Sequence, residues 1–297
     1  MDMLSKNLPY ILAGISVGGQ YALIAIGYTM VYGIAKMLNF AHGDVIMVGG
    51  YVVFFAFCKN GYNPWISVLI AMGVCTLLGM TIEKVAYKPL RGTPSLAVLI
   101  TAIGVSYFLQ NGAMLLWKSD PKSFSSIVGI NGLNLFDGKL QISAETIVTI
   151  ITCIVIMIVL MWFVKKTKPG HAMQAVSEDR GAAQLMGINV NGIISLTFAI
   201  GSALAAIAGA LLLSSYPTLM PTTGAMPGIK AFTAAVFGGI GSIPGAFLGG
   251  ILLGVIENLS KAYISTQLSD AIVFLVLIVI LLVRPTGLLG KKATVKV

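Results

Sequence analysis

Eight long apolar segments, separated by polar breaks, constrain the fold of this 297-residue chain more than any other feature. Only 10% of the residues are charged, against about 25% in soluble domains, so polar groups cannot cover a globular surface. Because one crossing takes roughly 20 apolar residues, we predict an all-α integral membrane protein, a polytopic bundle of about eight to ten transmembrane helices with broken or re-entrant segments. We expect one transmembrane domain over residues 1–297. The segments are approximately 8–35, 44–58, 64–83, 95–116, 144–164, 191–215, 228–258 and 268–284.

Basic residues between the segments predict the orientation. Eleven of the 19 Lys and Arg residues lie at 84–91, in a loop at about 165–190, or from Arg284 onward. These three places are cytoplasmic by the positive-inside rule. The break at about 117–143 is long and balanced in charge, so we predict an external loop. The net charge of +9 is therefore mostly a topology signal. Nucleic-acid binding is not expected, because the basic residues form no face interleaved with aromatic residues.

The first segment allows two positions for the N-terminus. One span over 8–35 places the N-terminus outside, whereas two short arms broken near Gly18 and Gly19 place it inside. The segment has no convincing small-residue cleavage site, so we expect a retained span rather than a cleaved signal peptide.

The segment at 228–258 does not fit a single crossing. Alternation places both its ends outside, because 191–215 ends outside and 268–284 begins outside. We predict two arms, 228–240 and 244–258, joined by a turn in GGIGSIPG. Each arm has about 13–15 residues, which is short for a full span. Such Gly- and Pro-interrupted segments point to transport pathways, although small residues at helical spacing also serve close helix packing.

Polar residues within apolar segments are candidates for a translocation pathway or gate. The sequence NFAHG predicts a break or a membrane-edge turn, where Asn39 and His42 either cap a helix end or line a gate. Lys230 and Glu257 would cost about 2.5–3.5 kcal/mol each at the bilayer centre. Both lie near a segment end, so we expect them to snorkel to the interface. The pathway candidates are Gln20, Asn39, His42, Gln110, Lys230, Thr233, Gly238, Gly239, Gly241 and Pro244.

The sequence lacks the common phosphate-binding loop, GxxxxGK[ST], and the HExxH zinc motif. Regularly spaced voltage-sensor arginines and a TVGYG-type filter are also missing. Cys58, Cys75 and Cys153 have no metal-binding or disulfide spacing, so no metal site is expected. The chain is therefore expected to be a pathway without its own energy source, with no catalytic residue and no cofactor of its own.

The loop at about 165–190 is too long for a simple connector. SEDRGAAQLMG contains helix formers, early acidic residues and a closing glycine, so we predict a short cytoplasmic helix at 177–187. Its small residues suit docking into a groove of a partner, and an ordinary surface helix is the alternative. The predicted coupling residues are Glu178, Asp179, Arg180, Ala182, Ala183 and Gly187.

Several motifs resemble a known transporter family. AAQLMG resembles the AAxxxG part of the EAA-type loop through which ABC importer permeases contact their ATPases, although Gly181 stands where that pattern has Glu. YALIAIGYTMVYGI with NFAHGD, EKVAYKPLR, AIGVSYFLQN and KAFTAAVFGGIGSIPGAFLGG closely resemble LivH-type permeases of bacterial branched-chain amino-acid ABC importers. The similarity runs from about Gly14 to Gly290.

The resemblance implies a permease subunit of the bacterial inner membrane that moves Leu, Ile or Val by alternating access. It implies a second related permease, two ATPase subunits that bind ATP and Mg²⁺, a periplasmic binding protein and surrounding lipid. Urea or a short amide is the alternative cargo. A stand-alone channel or carrier is a different class, and an intramembrane enzyme is disfavoured by the missing metal and carboxylate sets.

Overall fold

The structure is a computed structural model that describes residues 2–129, 132–135 and 140–290. Lys139 of the predicted external loop and the tail residues Lys291, Lys292 and Lys296 lie outside the described residues. The helices are α1 (Asp2–Ala35), α2 (His42–Val53), α3 (Pro64–Ile82), α4 (Ser95–Trp117), α5 (Ala144–Lys166), α6 (Lys168–Glu178), α7 (Arg180–Leu185), α8 (Val190–Ser215), α9 (Ala225–Gly238), α10 (Ile243–Tyr263) and α11 (Ser269–Val283). π-helical turns extend α2 over Phe54–Lys59 and α3 over Glu83–Tyr87, and a 3₁₀ turn follows at Lys88–Leu90. The short strands are β1 (Lys122–Ser123), β2 (Leu133–Leu135), β3 (Leu140–Ile142) and β4 (Thr218–Leu219).

Among the described residues, seven helices are long and apolar enough to cross a membrane, and α11 is a shorter apolar helix. The predicted all-α, polytopic class is confirmed. Long helices form where apolar residues run uninterrupted, and they end where Gly, Pro, Asn or charged residues meet. The span α3 shows this at its start, where the Asn63 side chain caps the helix and Pro64 opens it.

Two antiparallel strand pairs lie in the connections. β1 pairs with β4, and β2 pairs with β3. β1, β2 and β3 belong to the loop predicted to be external, so its described part is more ordered than a plain loop. These ladders are short, and the spans remain the dominant structure.

The chain folds into two compact units, each assembled from segments far apart in sequence. Unit 1 takes its described residues from 1–29, 128–157 and 230–297, and unit 2 takes them from 30–127 and 158–229. In unit 2, α2, α3 and α8 pack against one another. Small residues permit this approach, because a Cβ atom on Gly49 would lie 2.9 Å from the Cα of Ala206.

In unit 1, α1 packs antiparallel to α10 along a glycine seam. A Cβ atom on Gly14 would lie 2.7 Å from the Cα of Val255, and one on Gly18 would lie 2.7 Å from the Cα of Ile251. Because α1 is continuous through Gly18 and Gly19, the two-arm alternative for the first segment is wrong. The start of α1 therefore lies beside the end of α10, which agrees with one span and an outer N-terminus.

Candidate functional site

The predicted break in the 228–258 segment is confirmed, with one correction. α9 ends at Gly238 and α10 begins at Ile243, so the turn comprises residues 239–242. Gly239 and Gly241 have φ angles of 107° and 92°, which glycine adopts without strain. The second arm was expected to have about 13–15 residues, but α10 has 21, which is long enough to cross a membrane. The helix runs five residues beyond the predicted arm, through 259–263, where Lys261 pairs with Glu257 one turn earlier. Only α9, with 14 residues, is short.

The turn lies beside the segment that follows α11. The backbone N–H of Leu288 donates to the Phe237 carbonyl at 3.0 Å, and that of Leu289 donates to the Gly238 carbonyl at 2.9 Å. The segment after α11 leads into the basic tail, which the positive-inside rule assigns to the cytoplasm. The end of α9 is therefore on the predicted cytoplasmic side. At 1.5 Å per residue its helix is about 21 Å long, so it begins within the hydrocarbon rather than at the outer surface.

Lys230 and Glu257 form a buried ion network, so the expectation that they snorkel is wrong. The Nζ atom of Lys230 lies 2.9 Å from Oε1 of Glu257 and 2.7 Å from Oδ1 of Asp270. Glu257 Oε1 also accepts from Lys261 at 2.6 Å, and its Oε2 accepts from the Tyr21 hydroxyl at 2.9 Å. Lys230 is 7% exposed and Glu257 is 1% exposed. Pairing offsets the desolvation that would otherwise drive both charges to the interface.

The start of α2 lies deep in unit 2. The Nε2 atom of Gln110 donates to the Asp44 carboxylate at 2.9 Å. Gln110 is about four helical turns into α4, or roughly 22 Å from the end of α4 that is predicted to be cytoplasmic. α2 therefore begins at membrane depth, so NFAHG forms the predicted break rather than a membrane-edge turn. The sequence pattern could not show this, because Asp44 and Gln110 are 66 positions apart.

Residues 36–41 form a non-helical connection that leads to this deep start. Such backbone is tolerated at membrane depth where protein covers it or where it lines a watery cavity, and Met37, Asn39 and Ala41 are all buried. The Oδ1 atom of Asn39 accepts from the Tyr87 hydroxyl at 2.9 Å. α2 has Ala41 at its N-cap and no side-chain cap, so neither Asn39 nor His42 caps this helix.

The amino-terminal ends of α2 and α9 meet within unit 2. A Cβ atom on Gly43 would touch the backbone of Gly224 and lie 3.4 Å from the Cα of Gly228. Both helices point the positive ends of their dipoles into this region, and Asp44 adds a buried carboxylate in the first turn of α2. The region thus combines charges of both signs at membrane depth.

The predicted pathway candidates fall in both units. Asn39, His42 and Gln110 belong to unit 2, and all lie near the start of α2 or hydrogen-bond to it. The others belong to unit 1, namely Gln20, Lys230, Thr233, Gly238, Gly239, Gly241 and Pro244. Gln20 and Thr233 are buried, and Pro244 is in the first turn of α10.

The helix predicted at 177–187 is two helices. α6 ends at Glu178, and Asp179 then caps α7, accepting from the Ala182 N–H at 3.0 Å. α6 forms because Thr167 caps its first turn and Pro169 lies within that turn, a second start signal that the prediction overlooked. Gly187 closes the pair of helices with a φ angle of 83°.

The exposed apolar residues of this loop differ from the predicted ones. Ala183 is only 3% exposed and packs within its own chain, so only Ala182 of the predicted small pair is on the surface. Leu185 and Met186 are 91% and 82% exposed. The loop thus presents two large apolar side chains on the predicted cytoplasmic side.

A polar cluster, which we name the cytoplasmic joint, comprises Glu83, Tyr87, Arg91 and Arg180. Arg91 donates to Glu83 and to Asn191 at the start of α8, and Ser195 donates to Glu83 at 2.6 Å. The Arg180 guanidinium donates to the carbonyl of Ala35, the last residue of α1. Burial lowers the pKa of Arg91 and the Glu83 carboxylate opposes this shift, so the guanidinium stays charged. Of the cytoplasmic joint, the sequence analysis identifies only Arg180 as a candidate functional residue.

Two features of the described residues bear on metal binding and on a hydrolase-like spacing. Among them, no group of three His, Cys, Asp or Glu side chains could hold a metal ion. The sequence GISVG at 14–18 has the GxSxG spacing of serine hydrolases, but it lies inside α1 rather than at a strand-to-helix turn. Ser16 Oγ there accepts a hydrogen bond from Thr146 at 2.7 Å. The two glycines of this spacing, Gly14 and Gly18, pack against α10 in the glycine seam.

The family model described as "Branched-chain amino acid transport system / permease component" matches residues 10–281. The chain belongs to this family. It is 45% identical to the high-affinity branched-chain amino acid transport system permease protein LivH of Salmonella typhimurium over 299 residues, which cover 96% of each chain. It is also 45% identical to the corresponding permease protein BraD of Pseudomonas aeruginosa over 308 residues, which cover all of both chains. The resemblance drawn from the motifs is confirmed, and the chain is a multi-pass membrane protein.

Among solved structures, the chain is similar to PsaBC from Streptococcus pneumoniae in complex with Fab. The TM-score is 0.47 and the identity 16%, covering 96% of this chain and 92% of that one.

Proposed function

We propose that this chain is the transmembrane permease subunit of an ATP-binding-cassette importer that moves branched-chain amino acids across the bacterial inner membrane by alternating access. The observation that carries the proposal is the 45% identity to LivH and BraD over nearly the whole of each chain. Members of this family are named as transport permeases, so we assign the chain a non-catalytic role.

The proposed complex contains a second related permease, two ATPase subunits and a periplasmic binding protein. The sequence has no phosphate loop, so ATP and Mg²⁺ would be bound by the ATPase subunits. Leu185 and Met186 support an ATPase contact, because two large exposed apolar side chains outside the hydrocarbon suit burial against a partner. Their position revises the docking surface from Ala182 and Ala183 toward the end of α7.

The start of α2 is the proposed place where the amino acid passes unit 2. A zwitterion carries charges of both signs, and the helix dipoles of α2 and α9 favour its carboxylate while Asp44 favours its ammonium group. Asn39, His42 and Gln110 surround or hydrogen-bond to this region. The apolar side chain of the substrate would lie against apolar helix surfaces.

The proposal is tested with the complex reconstituted in sealed proteoliposomes. We expect uphill uptake of radiolabelled leucine that requires ATP on the cytoplasmic side and the binding protein on the other side. Parallel assays with urea and acetamide show whether the complex moves the alternative cargo instead of branched-chain amino acids. Uphill leucine uptake by this chain alone would contradict the proposal, as would a complete complex that moves urea and no branched-chain amino acid.

A further inference from the structure

The non-helical connection at residues 36–41 is held at two points by side chains from the predicted cytoplasmic side. At its start, Arg180 from α7 donates to the carbonyl of Ala35. Further along, Tyr87 donates to the side chain of Asn39 at 2.9 Å. Three residues beyond Asn39, the connection becomes α2, which carries Asp44 in its first turn.

The two holding residues are themselves fixed to the loop that carries Leu185 and Met186. Arg180 is the first residue of α7, only five positions before Leu185. Tyr87 lies on the π-helical turn that ends α3, and Glu83 of that turn accepts from Ser195 of α8 at 2.6 Å. α8 begins four positions after Met186. The contact of Arg180 with Ala35 and the contact of Tyr87 with Asn39 are therefore both connected to the same loop.

Burial makes these contacts stiff. Glu83 and Tyr87 are buried, and the Tyr87 ring also packs on Phe198 with ring centroids 5.4 Å apart. An unmade hydrogen bond in such a place is costly, so the partners move together rather than separating. The π-helical turn adds a feature that is frequent at functional positions in helices.

We infer that Tyr87 and Arg180 are positioning residues. They transmit displacement of the loop that contains α7, at about 165–190 and here named the α7 loop, to the connection at 36–41 and hence to the start of α2. Arg180 acts through the Ala35 carbonyl, and Tyr87 acts through Asn39. Glu83 and Arg91 keep the end of α3 attached to α8. The inference rests on the proposed function, because it needs an ATPase that moves the loop.

The test compares transport with ATP use in the reconstituted complex. Tyr87→Phe keeps the ring against Phe198 and removes only the hydroxyl, while Arg180→Met keeps the length and removes the donors. We expect leucine uptake per ATP hydrolysed to fall roughly three- to tenfold in each, which is what the loss of one hydrogen bond typically produces. Arg180→Lys, which restores a donor, should recover most of the ratio. Tyr107→Phe, on a ring that is 63% exposed, is the matched control and should keep the parental ratio.

A second measurement follows the connection directly. Lys36→Cys, in a chain that lacks its three native cysteines, places one thiol at an exposed position of the connection. We expect its maleimide labelling rate to change when vanadate traps nucleotide in the complex, and expect Tyr87→Phe to remove most of that change. A purely structural role of Tyr87 would lower protein level without altering the nucleotide response.

The outcomes separate the two proposals. An unaltered uptake-to-ATP ratio in both Tyr87→Phe and Arg180→Met overturns the inference, and so does loss of ATPase association together with protein level. If the parental complex takes up no branched-chain amino acid, the proposed function fails instead. The labelling experiment then still decides whether the loop moves the connection.

Discussion

A single buried carboxylate organises the outer part of unit 1. Glu257 accepts from Lys230, Lys261 and Tyr21, so three elements converge on one side chain. A buried ion pair adds little stability compared with apolar residues of the same size, but removing one partner leaves an uncompensated charge. The consequence of a substitution therefore depends on what the remaining partners can still satisfy.

Replacement of Glu257 should cost more stability than replacement of Lys230. Glu257→Leu leaves Lys261 without its carboxylate and Lys230 with Asp270 alone, so we expect a loss of about 3–5 kcal/mol. Lys230→Leu leaves Glu257 paired with Lys261 and Tyr21, and should cost less. Thermal unfolding of the purified protein in detergent measures the order. Equal losses for the two variants would mean that Glu257 is not the centre of the network.

The effect of replacing a glycine depends on whether a neighbouring helix leaves room for a side chain at that position. The seam between α1 and α10 contains glycines on both helices, whereas Gly104 on α4 has open space around it. The same change, glycine to alanine, therefore causes a steric clash in the seam between α1 and α10, whereas in α4 it raises helix propensity.

Gly254→Ala should destabilise the protein, because its methyl group would collide with the backbone of Gly18. Overpacking of this kind costs typically about 1–3 kcal/mol. Gly104→Ala should be neutral or stabilising by up to about 1 kcal/mol. Comparison of the melting temperatures in one detergent checks both. A stable Gly254→Ala protein would show that the seam is looser than described.

The α7 loop yields a prediction about assembly. Aspartate at both Leu185 and Met186 places two charges where an apolar contact is proposed, so ATPase co-purification should fall at least tenfold while the level in the membrane stays normal. Ile264→Asp, at an apolar residue that is 64% exposed on the predicted outer side, is the control and should keep the ATPases bound. Full ATPase binding by the double variant would move the contact elsewhere. Ala183→Glu is unsuitable, because that residue is buried within its own loop.

The sequence predicts elements better than it predicts their mutual depth. The limits of the spans follow from apolar length and from the residues that cap or break helices, and both are local signals. The depth of α2 is different, because it depends on the contact of Asp44 with Gln110 on another helix. The Lys230–Glu257 pair was missed for the same reason, because partners across a hairpin leave no mark in the sequence near either residue. Only the bond between Glu257 and Lys261, one helical turn apart, was readable locally.

At the scale of the whole molecule, charge placement sets the orientation. The basic breaks and the balanced loop at 117–143 alternate along the chain, and the helix order adds a re-entrant α9 followed by a full-length α10. Within unit 1, the turn at 239–242 lies beside the segment that leads into the basic tail, so it is assigned to the cytoplasmic side.

Cysteine labelling of intact spheroplasts tests this arrangement. In a background without the native cysteines, Ser125→Cys should react from outside, and Lys166→Cys should react only after permeabilisation. Ser242→Cys should resemble Lys166→Cys or remain unreactive, because it lies beside the segment after α11. Rapid reaction of Ser242→Cys from outside would contradict the re-entrant path of α9.

The glycine seam of unit 1 also has a consequence for biosynthesis. α1 leaves the ribosome about 240 residues before the part of α10 that covers it, which takes roughly 10–50 s at ordinary elongation rates. During that interval the glycine face of α1 is not yet covered by α10. The two helices close on each other only after α10 has been made. Slow or paused synthesis late in the message should therefore lengthen the period in which α1 is open to misassembly with another newly made helix.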